Sequence, residues 1–488
     1  MAILTPQRIE RHRSALHRKV LSRPLQFALA DGLVTTETSI FDYGCGLGGD
    51  IVRLCGQGFT CSGWDPTHAP EVPRTPADLV NLGYVLNVIE NPDERQSALL
   101  NAWRLARRVL IVSVRLRMEA RFDGQLSCGD GYLTRINTFQ KYYEQQELRE
   151  YLQVNLKMQP VAAGPGVFYC FRDARERESF VAMRFRRSPN TPRVCKSNAL
   201  YDAHHQLLDP LIEFVGTRGR LPTSDELASS ETIAEVFGSV RRAFTVVRRV
   251  TGREFWDKLR SVHSEDLAIY LALARFEGRP RFSQLPDDIR RDVRAFFSSY
   301  KRACEVADEL LFSLGDAHQL ERACRLSEMG KQTQTALYLH RSALSNASAI
   351  VRAYEGCARM LVGHTEGANI IKLFAKKPAV SYLSYPRFEQ DPHPALIHSL
   401  HVDLESRRTI FRDYSSSTNP PILHRKEDFL TDEHPLRDKF ARLTRVEESW
   451  GLYANPSEIG HQQAWERLLE RYGLRFRGHR LVRRKPSL

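Results

Sequence analysis

The sequence has no run of apolar residues long enough to cross a bilayer, and its arginine-rich start, Met1–Pro24, lacks the apolar core of a secretory signal. Its nine cysteines are scattered without a C-x-x-C pair, which argues against a zinc ribbon or a disulfide framework. The histidines have no metal-site spacing either. We therefore expect a cytoplasmic protein with reduced thiols, no membrane partner and no bound metal.

Positive charge is in excess. The 488 residues include 71 Lys and Arg against 58 Asp and Glu, a net charge of +13. This excess predicts a polyanionic partner, because a basic face that binds phosphates releases condensed counterions. The frequent use of arginine favours nucleic acid, since guanidinium groups bind phosphates and guanine edges in a bidentate manner. A basic surface without such a partner is the alternative.

A glycine-rich segment follows the first predicted strand. The strand Ser39–Tyr43 leads into Gly44–Asp50, and a helix is predicted over Ile51–Gly56. Glycines suit this turn because it is tight and a ligand can lie against bare backbone, where the next helix presents free N–H groups. A second strand, Phe59–Gly63, runs toward Asp65. An acidic residue about 20 positions beyond such a loop is where a ribose is held.

Two features favour S-adenosylmethionine (SAM) over a dinucleotide as the ligand. The loop reads D-x-G-x-G-x-G from Asp42, and Ala77–Glu90 has the pattern of a later strand with its following turn. In both features the chain resembles class I SAM-dependent methyltransferases. The resemblance implies a Rossmann-like α/β domain in which Asp42 meets the SAM ammonium group through water or the loop. A Rossmann-like domain that binds a nucleotide without chemistry is the alternative. The expected cofactor-binding residues are Asp42, Gly44, Cys45, Gly46, Asp65, Asp78, Asn81 and Leu82.

One stretch departs from that family pattern. Only twelve residues separate Asp65 from Asp78, where a full class I fold has a helix and a third strand. Four prolines in this stretch disfavour a helix. We expect Thr75–Asp78 to supply the adenine contacts in a shortened form.

The acceptor side of the site is less visible in the sequence. Enzymes that methylate the amino groups of adenine or cytosine usually carry a [D/N/S]-P-P-[Y/F] tetrad, whereas Asn81–Tyr84 has no proline. The Pro-Cys pair of cytosine C5 chemistry is also missing. Tyr84, Asn87 and Lys141 are the candidates for the catalytic pocket, the last within the polar and aromatic loop Asp130–Tyr143. Ordinary turn and core roles are the alternative for Tyr84 and Asn87, and a helix entry with Thr138 as N-cap is the alternative for the loop that contains Lys141.

The composition predicts an α/β chain in three parts: a SAM-dependent methyltransferase-like domain at 1–183, a helical domain at 184–330 and a basic α+β domain at 331–488. Three long helical segments are predicted, over Met1–Gly32 with a kink at Pro24, Asp287–Leu314 and Tyr338–Leu361. The tail Arg467–Lys485 predicts a phosphate-contacting arm, with a solvated charged terminus as the alternative.

Strings spread over nearly the whole chain resemble one family, the prokaryotic DNA phosphorothioation-associated methyltransferases. They are Arg11–Arg13, Ser22–Pro24, Phe41–Gly46, Gly63–Pro66, Asn81–Glu90, Thr138–Tyr143, Tyr354–Arg359 and Asn419–Lys426. The resemblance implies SAM-dependent methylation of DNA, linked to the phosphorothioation machinery and to restriction-type defence against phage. Two alternatives stay open: a DNA-binding regulator that holds SAM or a nucleotide without methyl transfer, and an RNA methyltransferase.

Overall fold

The computed structural model describes residues 9–15, 17–18, 20–120, 125–187 and 199–484. Contacts divide the chain into two compact units. Unit 1 comprises Met1–Asp173, Cys324–Ala347 and Cys357–Leu488, and unit 2 comprises Ala174–Ala323 and Ser348–Gly356. Unit 1 thus joins both ends of the chain, and the predicted three-part division stays a prediction. In these described ranges, no helix has the length and apolar character needed to span a membrane.

The N-terminal part of unit 1 is built around a parallel sheet. Its strands are β1 (Ile40–Tyr43), β2 (Cys61–Trp64), β3 (Ala77–Gly83), β4 (Ala106–Ser113), β5 (Leu126–Cys128), β6 (Gly131–Leu133), β7 (Phe139–Gln140), β8 (Val161–Gly164) and β9 (Val167–Phe171). Six strands pair in the order β2-β1-β3-β4-β9-β8, with β1–β4 parallel and β9 antiparallel to both of its neighbours. This is a Rossmann-like sheet, while β5–β7 form a small sheet of their own.

Helices cover this sheet, so its strands are apolar on both faces. The helices are α1 (Arg23–Ala30), α2 (Gly49–Gly56), α3 (Pro92–Leu105) and α4 (Gln145–Leu156). Phe41, Val80 and Leu110 are fully buried in the shared core. The start of α3 follows from its sequence, because the Asn91 side chain accepts hydrogen bonds from two backbone N–H groups of the first turn.

The predicted helix over Met1–Gly32 is wrong for most of its described length. Only Arg23–Ala30 is α-helical, and a single 3-10 turn covers Arg11–Ser14. Pro24 stands in the first turn of α1, where its missing N–H costs nothing, so it starts the helix instead of kinking one.

Unit 2 is helical. It contains α5 (Ala174–Met183), α6 (Ala199–Arg218), α7 (Ser230–Phe237), α8 (Val240–Thr251), α9 (Arg253–Ala274), α10 (Asp287–Phe297), α11 (Tyr300–Gly315) and most of α12 (Ala317–Arg325). The single helix predicted over Asp287–Leu314 is wrong. Ser298 has a φ of +66°, and the Ser299 hydroxyl caps α11 by accepting a hydrogen bond from the Arg302 N–H at 3.1 Å.

The C-terminal part of unit 1 contains a second sheet. Its strands are β10 (Lys331–Gln332), β11 (Ala336–His340), β12 (Ile370–Phe374), β13 (Ala379–Ser384), β14 (His398–Asp403) and β15 (Thr409–Asp413), all antiparallel and paired in chain order. The other elements are α13 (Ala349–Val362), which begins in unit 2, α14 (Arg437–Ser449), α15 (Gln462–Arg471) and the hairpin of β16 (Leu474–Arg477) with β17 (Arg480–Arg483).

One prediction for this part needs correction. Tyr338–Leu361 is not one helix: Tyr338 lies in β11, between β10 and β12, and the α-helix begins only at Ala349. The described part of the tail Arg467–Lys485 is a helix end and a folded hairpin. Its predicted contact with phosphate stays a prediction.

Candidate functional site

The order of the strands creates a crevice at the carboxyl end of β1. The chain places β2 on one side of β1 and β3 on the other, so the loops that leave β1 and β3 turn in opposite directions. Asp42 of β1 is paired with Gly63 of β2 and with Asn81 of β3. Such a topological switch point is where open α/β sheets bind their ligands.

Gly44 is fixed as glycine by two independent constraints. Its φ of +83° lies in the left-handed region that side chains rarely adopt. A Cβ built on Gly44 would also overlap Cγ2 of Val85, in the loop after β3. The loops that follow β1 and β3 therefore meet at bare backbone.

Asp65 lies directly after β2 and holds the glycine loop from the other side. Its Oδ2 accepts a hydrogen bond from the Gly46 N–H at 3.0 Å, and its Oδ1 accepts from the N–H groups of Thr67 and His68, each at 2.9 Å. A carboxylate offers about four lone-pair positions, so Asp65 can accept one more donor, such as a ribose hydroxyl.

Asp42 is a buried carboxyl at the bottom of the crevice, with 5% of its surface exposed. The Asn81 Nδ2 donates a hydrogen bond to its Oδ1 at 2.9 Å, whereas the buried Asn81 Oδ1 has no hydrogen-bond partner within the described structure. Burial, reinforced by the neighbouring carboxylate of Asp50, raises the pKa of Asp42 to about 7, against the opposing effects of Asn81 and Arg18. A cation bound nearby would favour the ionised form of Asp42.

The N-terminal segment that precedes α1 crosses the glycine loop, which the sequence did not predict. The Ser22 N–H donates to the Asp50 Oδ1 at 2.9 Å, and the Arg18 guanidinium lies 5.1 Å from the centre of the Tyr84 ring. Arg11 anchors the segment through paired hydrogen bonds to Glu90, both at 2.7 Å, and further bonds to Glu94. In the sequence, the i,i+4 spacing of Glu90 and Glu94 is the feature that could have indicated a shared basic partner.

The structure brings most of the predicted cofactor-binding residues together. Asp42, Gly44, Gly46, Asp65 and Asn81 surround the crevice as described above. Their neighbour in the loop, Cys45, donates its backbone N–H to the Trp64 carbonyl at 3.1 Å.

Asp78 and Leu82 lie elsewhere. Asp78 lies near the amino end of β3, at the opposite end of the strands from the crevice. Its Oδ2 accepts hydrogen bonds from the Ser39 backbone N–H at 3.0 Å and from the Ser39 hydroxyl at 2.6 Å. These bonds lower the pKa of Asp78. Leu82 is fully buried in the hydrophobic core.

Of the predicted catalytic residues, Tyr84 is the one at the crevice. It follows β3 with a φ of +62°, and its N–H donates to the Ser113 carbonyl at 2.9 Å. Tyr84 is half-buried. Non-glycine residues with positive φ are uncommon, and strained backbone of this kind clusters at functional sites.

Asn87 and Lys141 have structural partners instead. The buried Asn87 side chain donates to the Lys141 carbonyl at 2.7 Å and accepts from the Arg115 N–H at 3.1 Å, which ties two loops together. The Lys141 ammonium group pairs with Asp130 at 3.0 Å and with Glu147 at 2.8 Å. These contacts favour the core role that the sequence left open for Asn87 and a structural role for Lys141.

Comparison with known proteins finds similarity to solved structures of methyltransferases, and no protein-family model or curated protein sequence matches the chain. 1,6-Didemethyltoxoflavin-N1-methyltransferase of Burkholderia thailandensis, with bound S-adenosylhomocysteine, is 17% identical over 33% of this chain and 78% of its own, with a TM-score of 0.24. Magnesium protoporphyrin IX methyltransferase of Synechocystis PCC 6803 is 14% identical over 34% and 94%, with a TM-score of 0.23. A possible histamine N-methyltransferase of Thermotoga maritima is 16% identical over 32% and 77%, with a TM-score of 0.21.

These likenesses are weak and cover about a third of this chain, so conclusions about the site depend on its own geometry. The sheet order, the antiparallel β9 and the glycine loop after β1 are observations of this chain itself. They give its N-terminal part the Rossmann-like architecture that the resemblance to class I methyltransferases implied.

Proposed function

We propose that this chain is a SAM-dependent methyltransferase that acts on DNA and binds SAM in the crevice beside β1. The observation that carries the proposal is the convergence of two carboxyl groups on one glycine loop. Asp65 accepts a hydrogen bond from the loop at Gly46, and Asp42 is buried at the start of the same loop. Both stand at the carboxyl ends of neighbouring parallel strands.

The residues around the crevice match the groups of SAM. The carboxyl of Asp42 suits its positive charge, Asp65 suits the ribose hydroxyls, and the exposed backbone before α2 suits its carboxylate. SAM, when bound, supplies an activated methyl group, whose bond to sulfur breaks as its bond to the acceptor forms. The chain's contribution is to hold the acceptor in line, and Tyr84 stands where it can line that approach.

DNA is the proposed acceptor for two reasons. The net charge of +13 suits a polyanion, and the family resemblance implies DNA methylation linked to phosphorothioation and restriction-type defence. RNA is the alternative acceptor. A regulator that binds SAM or a nucleotide without methyl transfer is a second candidate function. It is favoured by the short stretch after β2, which closes through a bridge between Asp65 and Ala69 and leads into β3 without another strand in the described residues.

Calorimetric titration of SAM into the protein tests the site. Wild type is expected to bind in the micromolar range, whereas Asp65→Ala loses binding because it removes both the ribose acceptor and the partner of Gly46. Asp78→Ala is the matched control, because Asp78 is an acidic residue of the same sheet that lies near the amino end of β3, away from the crevice. Loss of binding in Asp78→Ala and not in Asp65→Ala would contradict the proposed location.

Transfer of a tritiated methyl group then tests the reaction. Sheared DNA amplified without native methylation and matched RNA are offered separately. Incorporation into DNA supports the proposal, and incorporation into RNA alone would make RNA the acceptor. SAM binding without transfer to either favours the regulator.

A further inference from the structure

A cavity of about 460 Å³ lies within unit 1 between the N-terminal part and the C-terminal sheet. Its volume is in the range of small-molecule sites. Apolar and aromatic side chains make up most of its wall, and two glutamates and an arginine stand among them.

The floor of the cavity is one face of the C-terminal sheet. Tyr382 of β13 is paired with Leu400 of β14, which is paired in turn with Phe411 of β15. These side chains form a cross-strand row on one face, because partners in register point to the same side of a sheet. Tyr382 and Leu400 are buried and Phe411 is half-buried, so the ring of Phe411 is the accessible one on which a planar ring can stack.

The opposite wall comes from the segment that follows β4 and from the start of α1. Met118 and Glu119 lie shortly after β4, and Arg23 is the first residue of α1. Glu119 lies 3.6 Å from Arg23, which also pairs with Glu366 at 3.4 Å. The Met118 sulfur lies 4.0 Å from the hydroxyl of Thr409, on β15. The polar end of the cavity therefore contains two carboxylates around one guanidinium group.

This polar end is close to Tyr84 and the crevice. Arg23 directly follows Ser22, which is hydrogen-bonded to Asp50 in the first turn of α2. Burial raises the pKa of the Tyr84 hydroxyl, which Arg23 lowers and Glu119 raises, so both charged residues act on Tyr84. The polar end of the cavity therefore lies near Tyr84.

Two exposed arginines neighbour residues that line the cavity. Arg117 precedes Met118 and Arg387 follows Pro386 in the chain. Such a pair of arginines suits a phosphate backbone that passes outside the cavity while one base enters it.

We propose that this cavity is the binding subsite for a nucleobase that carries an exocyclic amino group, which means adenine, cytosine or guanine. The inference rests on the proposed function, since it identifies the acceptor of that site. The base stacks on the ring of Phe411, and its amino group donates to a carboxylate, as cytosine N4 does to Glu or Asp. Thymine and uracil lack this donor. Burial raises the pKa of Glu119, which Arg23 counteracts by favouring the carboxylate that accepts this hydrogen bond.

Fluorescence anisotropy with homopolymers tests the subsite without SAM and without a known recognition sequence. The probes are oligo(dA), oligo(dC), oligo(dT) and oligo(rA) of about 15 nucleotides, which cover a typical single-strand site. Wild type is expected to prefer oligo(dA) and oligo(dC) over oligo(dT). Phe411→Ala is expected to weaken binding of the preferred strands by about tenfold through lost stacking. Glu119→Gln is expected to remove the preference and leave oligo(dT) binding unchanged.

Ile410→Ala is the matched control, because Ile410 is the chain neighbour of Phe411 on the opposite face of β15 and is exposed. Leu400→Trp fills the cavity from its floor and is expected to reproduce the loss, which guards against a folding defect in Phe411→Ala. Thermal melting reports on folding in every variant. Tighter binding of oligo(rA) than oligo(dA) would assign the same subsite to RNA.

Equal binding of all homopolymers by wild type, or equal losses in Phe411→Ala and Ile410→Ala, would overturn the subsite. SAM titration separates this failure from failure of the proposed function. If the protein binds SAM but shows no base preference, only the subsite is overturned. If it shows the base preference and does not bind SAM, the methyltransferase proposal is overturned and the base-binding cavity stands.

Discussion

Single residues at the crevice combine backbone geometry with close packing, and Gly44 is the sharpest case. Its positive φ could be anticipated from the D-x-G-x-G-x-G pattern, because such loops need glycine. Its contact with Val85 could not be anticipated, since the two residues are 41 positions apart in the chain. Local sequence patterns indicate the backbone conformation at this site, whereas the contacts between its loops are seen only in the folded sheet.

Gly44→Ala is expected to destabilise the fold and to weaken SAM binding. The side chain must enter the left-handed region, at a cost of about 1–2 kcal/mol, and it must also displace Val85. Gly58→Ala is the control, because Gly58 has a similar φ of +87° and no atom within 4 Å of a built Cβ. Chemical denaturation measures the free energy of unfolding of both variants. Equal losses would mean that the contact with Val85 has no effect.

Asp42 is expected to make both SAM affinity and stability depend on pH. Its folded pKa is raised from 3.8 to about 7, so between these values the folded state holds the proton and the unfolded state does not. The contribution of Asp42 to stability without ligand therefore falls as pH rises from about 4 to about 7. SAM affinity is expected to rise over the upper part of this window, because the ionised carboxyl attracts a cation.

Calorimetry across this pH range, with Asp42→Asn alongside, measures the effect. The variant cannot ionise at this position, and its SAM affinity is expected to be flatter with pH. A wild-type affinity that falls as pH rises would contradict the assigned role of Asp42.

Among the elements, those with strong local signals were predicted and those defined by distant contacts were not. The strands β1 and β2 and the helix α2 follow from the segment around the glycine-rich turn, and the structure confirms them within a few residues. β11 was predicted as helix, because its five residues carry little pattern until β10 and β12 pair with it. The segment before α1 was also predicted as helix, although its contacts are to Glu90, Glu94 and Asp50 far along the chain.

Arg11→Ala tests whether the segment before α1 supports the crevice. It removes the paired bonds to Glu90 and Glu94, and SAM affinity is expected to fall a few-fold, with faster cleavage of the segment by a protease. The thermal midpoint should change little, since partly exposed ion pairs are worth about 0–1 kcal/mol. Arg13→Ala is the control, because Arg13 is an exposed arginine of the same 3-10 turn. Identical behaviour of the two variants would show that the anchor is not needed for binding.

At the scale of the whole molecule, unit 1 is assembled from both ends of the sequence, and this explains why the cavity could not be found from motifs. The floor of the cavity comes from residues near 382–411 and its opposite wall from residues near 23 and 118. No spacing rule links positions so far apart. The sequence did predict a polyanionic partner from net charge alone, but net charge carries no information about which surface meets the phosphates.

The dependence of affinity on salt identifies that surface. Each arginine that neutralises a phosphate of a single strand contributes about 0.7 to the slope of log affinity against log salt. Replacing Arg117 and Arg387 by glutamine is therefore expected to reduce the slope for oligo(dA) by about 1.4 if both contact phosphates. Arg107→Gln is the control, because Arg107 is also exposed but acts on Asp78 near the amino end of β3, away from the crevice. A slope that falls with Arg107→Gln and is unchanged in the double variant would move the nucleic-acid surface away from the cavity, whereas the expected result joins the phosphate path, the base subsite and the crevice on one side of unit 1.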